Sequence, residues 1–149
     1  MALDDLGAWL VKGNADLTDL AGRFARDPVI QRWCVQPSYR TRLMRAGQPV
    51  VFWASGSRAR LDYGVWGVGR LTGEPQQDAP GGGLWVPLDL GVWRPDLWLP
   101  REVLRADDRL ANLEVLRQPQ GSNPSYLTVA QFAALNEYCP GRSVAAEQD

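Results

Sequence analysis

Residues Trp33–Leu71 read WCVQPSYRTRLMRAGQPVVFWASGSRARLDYGVWGVGRL, and this stretch decides the fold. Its second half holds two short apolar runs, 49–54 (PVVFWA) and 64–71 (GVWGVGRL). Both are rich in β-branched and aromatic residues and bounded by turn formers, as strands are. The intervening SGSRARLDY is too long for a two-residue hairpin, which makes it a loop able to carry function. Gly64, Gly67 and Gly69 thin out the second strand, as happens where a strand bends or where another backbone or a ligand comes close. The stretch also holds Trp33, Trp53 and Trp66, three of the seven tryptophans. Six arginines fall between Arg32 and Arg60, and no Asp or Glu occurs from Pro28 through Leu61, although the net charge is -1. Positive charge segregated beside aromatic rings points to an anionic ligand with a flat part that can stack.

Working outward, Val29–Val35 reads as an extended piece ended by Pro37. Ser38 then caps a predicted helix over 39–46, with Leu43 and Met44 for the core and Gly47 as its stop. Upstream, 8–12 (AWLVK) fits a buried strand before Gly13 and Asn14. Asp16 can cap a helix carrying Leu17, Leu20, Ala21 and Phe24 on one face, and Asp27-Pro28 stops it. Downstream, 72–83 reads as a flexible connector and 84–90 (LWVPLDL) as a strand with Pro87 at an edge or bulge. A proline-bounded loop over 94–100, a short helix over 101–108 and a short strand over 113–116 follow. Thr128-x-x-Gln131 is a capping box ahead of a helix with Phe132, Leu135 and Tyr138 on one side. These elements predict an α+β fold: one domain over 1–139 around a small curved mixed β-barrel of five to six strands with flanking helices, and a flexible tail over 140–149.

A chain of 149 residues can bury a real core without staples. No apolar run is long enough to span a bilayer. The N-terminus carries acids where a signal peptide needs positive charge, which predicts no export and a cytoplasmic protein. Cys34 and Cys139, outside any C-x-x-C pair, predict neither a disulfide framework nor a metal site. There is no histidine, which removes the commonest general base and metal ligand and with them most hydrolase and metalloenzyme readings. Only Lys12 among the sixteen basic residues is lysine, and arginine forks suit phosphates and stacked bases better than ammonium groups do. A GC-rich genome accounts for the arginine total better than for the clustering.

The order WLVKGN, a helix, a Trp-containing segment, PSYRTRLMRAGQPVVFW, a loop, GVWGVGRL and a late GSNPSYLT before a helix resembles the EVE domain. That domain is a PUA-like barrel related to the YTH domains that read methylated adenine in RNA. The resemblance runs from Ala8 to about Tyr138. This chain departs from the pattern at Gln48, where EVE sequences carry an acid, and in the short segment where YTH domains place part of their aromatic cage. The resemblance implies a pocket for one modified, for example methylated, nucleobase in DNA or RNA, with no catalytic residue, no cofactor and no metal. KGN (Lys12, Gly13, Asn14) resembles the segment whose asparagine bonds the base edge. Trp33-Cys34 resembles the cage tryptophan and the following residue, whose backbone contacts the base. For the second wall Trp85 is the best substitute and Trp53 the next, while Ser55 and Asn123 lie on loops able to close over the pocket. Lys12, Arg40, Arg42, Arg58 and Arg60 are the candidate phosphate contacts.

The chemistry of such a site is coherent. A base leaving its stack must recover a few kcal/mol, and one aromatic platform supplies ~1–3 kcal/mol. Burying one methyl carbon adds only ~0.8 kcal/mol, so strong preference for a methylated base needs a pocket that also penalises the unmethylated one. Each feature has a plainer reading beside the functional one. Trp33, Trp53 and Trp66 can be core, Asn14 can cap the turn beside Gly13, the arginines of 39–46 can form a solvated helix face, and the glycines can serve curvature alone. A protein-interaction or structural domain, favoured by the net charge, is the alternative function. An enzyme using Cys34 is the third, and it lacks a histidine to activate the thiol.

Overall fold

The run 49–54 becomes the middle of a sheet because both of its faces are apolar: Val50, Val51, Phe52, Trp53 and Ala54 are all buried. The computed structural model describes residues 3–57 and 61–139. The expected tail over 140–149 therefore lies outside the described residues. Eight strands form one mixed sheet: β1 Leu6–Asn14, β2 Val29–Val35, β3 Pro49–Ser55, β4 Gly64–Leu71, β5 Gln76–Gln77, β6 Leu84–Val92, β7 Leu99–Pro100 and β8 Ser125–Thr128. Four α-helices accompany them: α1 Leu20–Arg26, α2 Arg101–Ala106, α3 Glu114–Arg117 and α4 Val129–Asn136. The strand order is β2-β6-β4-β3-β1-β8, with β5 added to β6 and β7 to β4; β1 and β3 run parallel and the other pairs antiparallel.

The fold is α+β, as its pattern predicts, but the sheet holds eight strands rather than five or six and its strand pairing does not close: β2 and β8 remain as ends. The core gathers Phe24, Phe52, Trp66 and Trp98, with Trp66 and Trp98 stacked at 3.6 Å and 8°. Buried indoles find acceptors, Trp9 on the Gln48 side chain (2.7 Å), Trp66 on the Asp62 carbonyl (2.8 Å) and Trp98 on the Trp93 carbonyl (2.9 Å). Gln48, where the EVE pattern has an acid, is thus a hub. Its carbonyl also accepts from the Arg45 backbone at 2.6 Å, and its amide donates to the Leu43 carbonyl at 3.2 Å.

Several local expectations are corrected. The helix over 39–46 shrinks to one 3-10 turn, Thr41–Leu43. Thr41 Oγ1 captures the Ser38 backbone, accepting from its amide and donating to its carbonyl, while Ser38 Oγ accepts from the Arg40 amide, and such bonds compete with a helical ladder. The first helix starts at Leu20 under an Asp19 cap rather than under Asp16, which leaves Leu17 82% exposed. Of residues 113–116, read as a strand, Leu113 is the N-cap and 114–116 belong to the short helix α3, with buried Leu110 and Leu113 one helical turn apart ahead of it. The connector 72–83 carries β5, and β8 forms where no strand is read. The capping box is present as written: Thr128 Oγ1 accepts from the Gln131 amide and the Gln131 side chain accepts from the Thr128 amide. Gly69 lies against β6, where a Cβ would run into the Asp89 carbonyl and the Leu90 backbone. This glycine serves close backbone approach.

Candidate functional site

Where β1 ends in KGN it passes beside β2, the end strand of the sheet, and a concavity of about 430 Å³ opens between them. That size falls within the usual range of small-ligand pockets. Six of the residues singled out from sequence line it together: Lys12, Asn14, Trp33, Cys34, Trp85 and Asn123.

Trp33 is its aromatic floor. The indole Nε1 donates to the Lys12 carbonyl (2.8 Å), and the ring meets Phe52 edge-on at 4.8 Å and 85°. A Cβ on Gly13 would stand 2.7 Å from the Phe52 ring tip and 3.0 Å from Trp33, so the glycine of KGN is what lets the indole sit there. Arg23, on α1, holds its guanidinium 5.2 Å above the Trp33 ring. Residues 12 to 14 are placed by Asn123. Its Oδ1 accepts from the Lys12 amide (3.2 Å), its Nδ2 donates to the Cys34 carbonyl (3.3 Å) and its own carbonyl accepts from the Gln36 amide (2.7 Å). Asn123 therefore clips β1 to β2 across the gap that strand pairing leaves open, and its amide is already occupied. By strand alternation the Cys34 peptide shares the direction of the Gln36 amide, away from β6 and toward the open side.

Asn14 combines its two readings. Oδ1 accepts from the Asp16 amide (2.9 Å), the Asx turn its neighbour Gly13 leads one to expect, while Nδ2 has no partner among the described residues. The Lys12 amine donates to the Gly121 carbonyl at 3.2 Å. Burial holds its pKa below the ordinary lysine value, against the opposing pull of Glu114 and with a smaller push from Arg40.

Trp85 does not face Trp33 as a cage wall would. Cys34 pairs with Trp85 and Trp33 with Val86, so the two indoles leave opposite faces of the β2–β6 ribbon. Trp33 shares the face of buried Val86; Trp85 stands outside with Arg32, whose guanidinium lies 4.0 Å over its ring. Asp78 accepts from Arg32 (2.8 Å) and from the Trp85 Nε1 (3.1 Å); these bonds, Arg32's first, hold its carboxyl below the usual range.

The remaining candidates fall elsewhere. Trp53 is 4% exposed in the core, on the face of β3 opposite Phe52. Ser55 donates its hydroxyl to the Gly13 carbonyl (3.3 Å) and shapes the KGN turn from behind. Arg40 is committed to Glu114, whose carboxylate it grips with both Nη atoms at 2.6 and 2.7 Å, the two side chains being only 11% and 15% exposed. Its guanidinium is a structural tie rather than an open phosphate contact. Arg42 is exposed but lines a separate concavity with Arg45 and Glu74. Arg58 and Arg60 lie outside the described residues. Sequence reasoning overlooked Arg23 entirely and treated Arg32 only as part of a charge cluster; the only signal for Arg23 was its spacing one position before Phe24 on an amphipathic helix.

Among the described residues no three His, Cys, Asp or Glu side chains gather in a way that could hold a metal ion, and no helix is long and apolar enough to cross a membrane. No protein-family model and no curated protein matches the sequence. Solved structures share the fold. A hypothetical protein from Leishmania major superposes with a TM-score of 0.66 at 17% identity, over 91% of this chain and 96% of that one. A Rhodopseudomonas palustris protein solved by NMR gives 0.61 at 16% identity, over 89% and 92%. A Pseudomonas syringae protein solved by crystallography gives 0.61 at 18%, over 87% and 97%.

Proposed function

We propose that this chain is a non-enzymatic nucleic-acid-binding domain that accommodates one nucleobase, in a modified form such as a methylated one, on Trp33. The observation that carries the reading is the Trp33 indole, pinned by its bond to the Lys12 carbonyl at the floor of a concavity with room for a base. Around that floor the groups left to a ligand are donors: the Asn14 Nδ2 and the guanidinium of Arg23, with the Cys34 amide on the open side. Donors of this kind suit the acceptor atoms of a base edge and the oxygens of a phosphate. Arg23 would move aside or clamp the far face of the base, since a guanidinium stacks on a base as well as on an indole. We further propose that the open mixed sheet is a variant of the EVE-type, PUA-like barrel. In this variant the Asn123 clip spans the gap between the sheet ends. The protein would act in the cytoplasm, without cofactor or metal.

The test is a titration of labelled oligonucleotides carrying cytosine, 5-methylcytosine, 5-hydroxymethylcytosine, adenine or N6-methyladenine, at two salt concentrations. Salt-sensitive binding that prefers one modified base is expected, and Trp33→Ala should weaken it at least about tenfold. Unchanged affinity in both Trp33→Ala and Asn14→Ala would sink the site. A protein-interaction domain is the second reading, favoured by the net charge of -1. It predicts a partner whose binding is indifferent to salt.

A further inference from the structure

The cluster of Arg32, Trp85 and Asp78 is not consumed by the base pocket. All three side chains stand on the outer face of the β2–β6 ribbon, while Trp33 occupies the inner face, yet Arg32, Trp85 and Trp33 border one concavity. We propose that Trp85 and Arg32 form a second nucleotide subsite, so that the ligand is a single-stranded nucleic acid whose backbone crosses the free edge of β2 between the two indoles. The proposal rests on the base-pocket reading and extends it.

The geometry has the parts such a subsite needs. A flat indole offers a sequence-tolerant stacking surface, and Arg32 beside it offers a fork for the phosphate joining the two nucleotides. The Asp78 carboxylate now holds both groups, at 2.8 Å from Arg32 and 3.1 Å from the Trp85 Nε1, in the manner a phosphate oxygen would. This ion pair is exposed, Arg32 by 55% and Asp78 by 67%, so it is of the weak surface kind that an incoming phosphate can replace. Because β2 ends the sheet and the Asn123 clip meets its edge at Cys34 and Gln36, a chain crossing beside Arg32 passes from the inner to the outer face without meeting a neighbouring strand. Two consecutive bases splayed to opposite faces of a ribbon are available to a single strand and not to a stacked duplex.

Calorimetric titrations of the wild-type protein, Trp85→Ala, Arg32→Gln and Asp78→Asn with a nucleoside, the matching dinucleotide and a short oligonucleotide, single-stranded and duplex, test it. The dinucleotide should bind the wild-type protein about tenfold more tightly than the nucleoside. That ratio should collapse toward one in Trp85→Ala and fall in Arg32→Gln. Asp78→Asn should raise dinucleotide affinity about threefold, since it removes a competing charge. A wild-type ratio near one, a ratio untouched in both Trp85→Ala and Arg32→Gln, or a duplex that binds as well as the single strand overturns the subsite. Nucleoside binding that still depends on Trp33 would then leave the base pocket standing. Failure of every nucleoside and oligonucleotide to bind would remove both.

Discussion

At the scale of single residues, the site is built from side chains that hold backbone in place, and some of them leave a group over. Asn14 is the clearest case, and its two duties can be separated. Asn14→Asp keeps an oxygen to accept from the Asp16 amide, so the Asx turn and the thermal midpoint should stay close to wild type. The same change removes the Nδ2 donor, and nucleoside affinity should fall about fivefold, the loss of one hydrogen bond of ~1 kcal/mol. Calorimetry with a nucleoside, which carries no phosphate for the new charge to repel, reads the effect; wild-type affinity would leave Asn14 with the turn alone. Asn123 differs because both ends of its amide are used. Asn123→Ala should cost about 1–2 kcal/mol in urea denaturation and loosen the KGN turn against β2. Lys12-Gly13-Asn14 and Trp33-Cys34 were legible only through the resemblance to the EVE and YTH pattern, and the structure gathers these five residues around one concavity. The clip was not legible, since Asn123 meets Lys12 across 111 positions and Cys34 across 89. Arg40 misled for the same reason: its charge is visible in sequence, but its partner Glu114 lies 74 positions away.

At the scale of elements, strands rich in β-branched and aromatic residues and bounded by turn formers were the most legible, and β2 and β4 match their predicted bounds. Short segments failed where tertiary partners choose the conformation. LEVL at 113–116 suits a strand or a helix equally by composition, and only the buried Leu110 and Leu113 select the helix. The face of Trp85 is written in the alternation of β6: Val86, Leu88 and Leu90 point inward and are buried while Asp89 is exposed, which puts Trp85 on the outer face, opposite Trp33. The close approach of β4 to β6 is what fixes the sheet at this point, and Gly69 is where it can be tested. Gly69→Ala drives a methyl group into the Asp89 carbonyl and the Leu90 backbone, neither of which can swing away as a side-chain tip could. A loss of about 3 kcal/mol in urea denaturation is expected, at the upper end for overpacking. A loss below ~1 kcal/mol would mean that the two strands can separate locally without cost.

At the scale of the whole molecule, one ion pair connects the parts that the sheet leaves unconnected. Arg40 belongs to the turn after β2, Glu114 opens α3, and Ser125, which donates to Glu114 Oε1 at 2.6 Å, begins β8 two residues after Asn123. The Arg40 guanidinium also donates to the Pro124 carbonyl at 3.3 Å. The pair thus braces the segment that carries the Asn123 clip, and its loss should be felt in both stability and binding. The Glu114 carboxyl is held below its ordinary pKa, first by the Arg40 hydrogen bonds and then by Ser125 and the nearby positive charges, against the opposing effect of burial. A carboxylate with a depressed folded-state pKa contributes stability that is present above the unfolded value, ~4.3 for glutamate, and is lost as pH falls through the folded value. Asp107, bonded by Arg109 and Tyr138, is shifted the same way, so the wild-type protein should lose stability in acid from more than one site. Glu114→Gln isolates one of them. It should cost about 3 kcal/mol at neutral pH, because a largely buried guanidinium loses its countercharge. As pH falls through the depressed folded value, where the wild-type carboxyl is itself protonated, the difference between the two proteins should shrink. Urea midpoints of both proteins at neutral and acid pH decide the matter. An equal gap at both would mean that Glu114 acts by shape and hydrogen bonding alone, with no contribution from its charge.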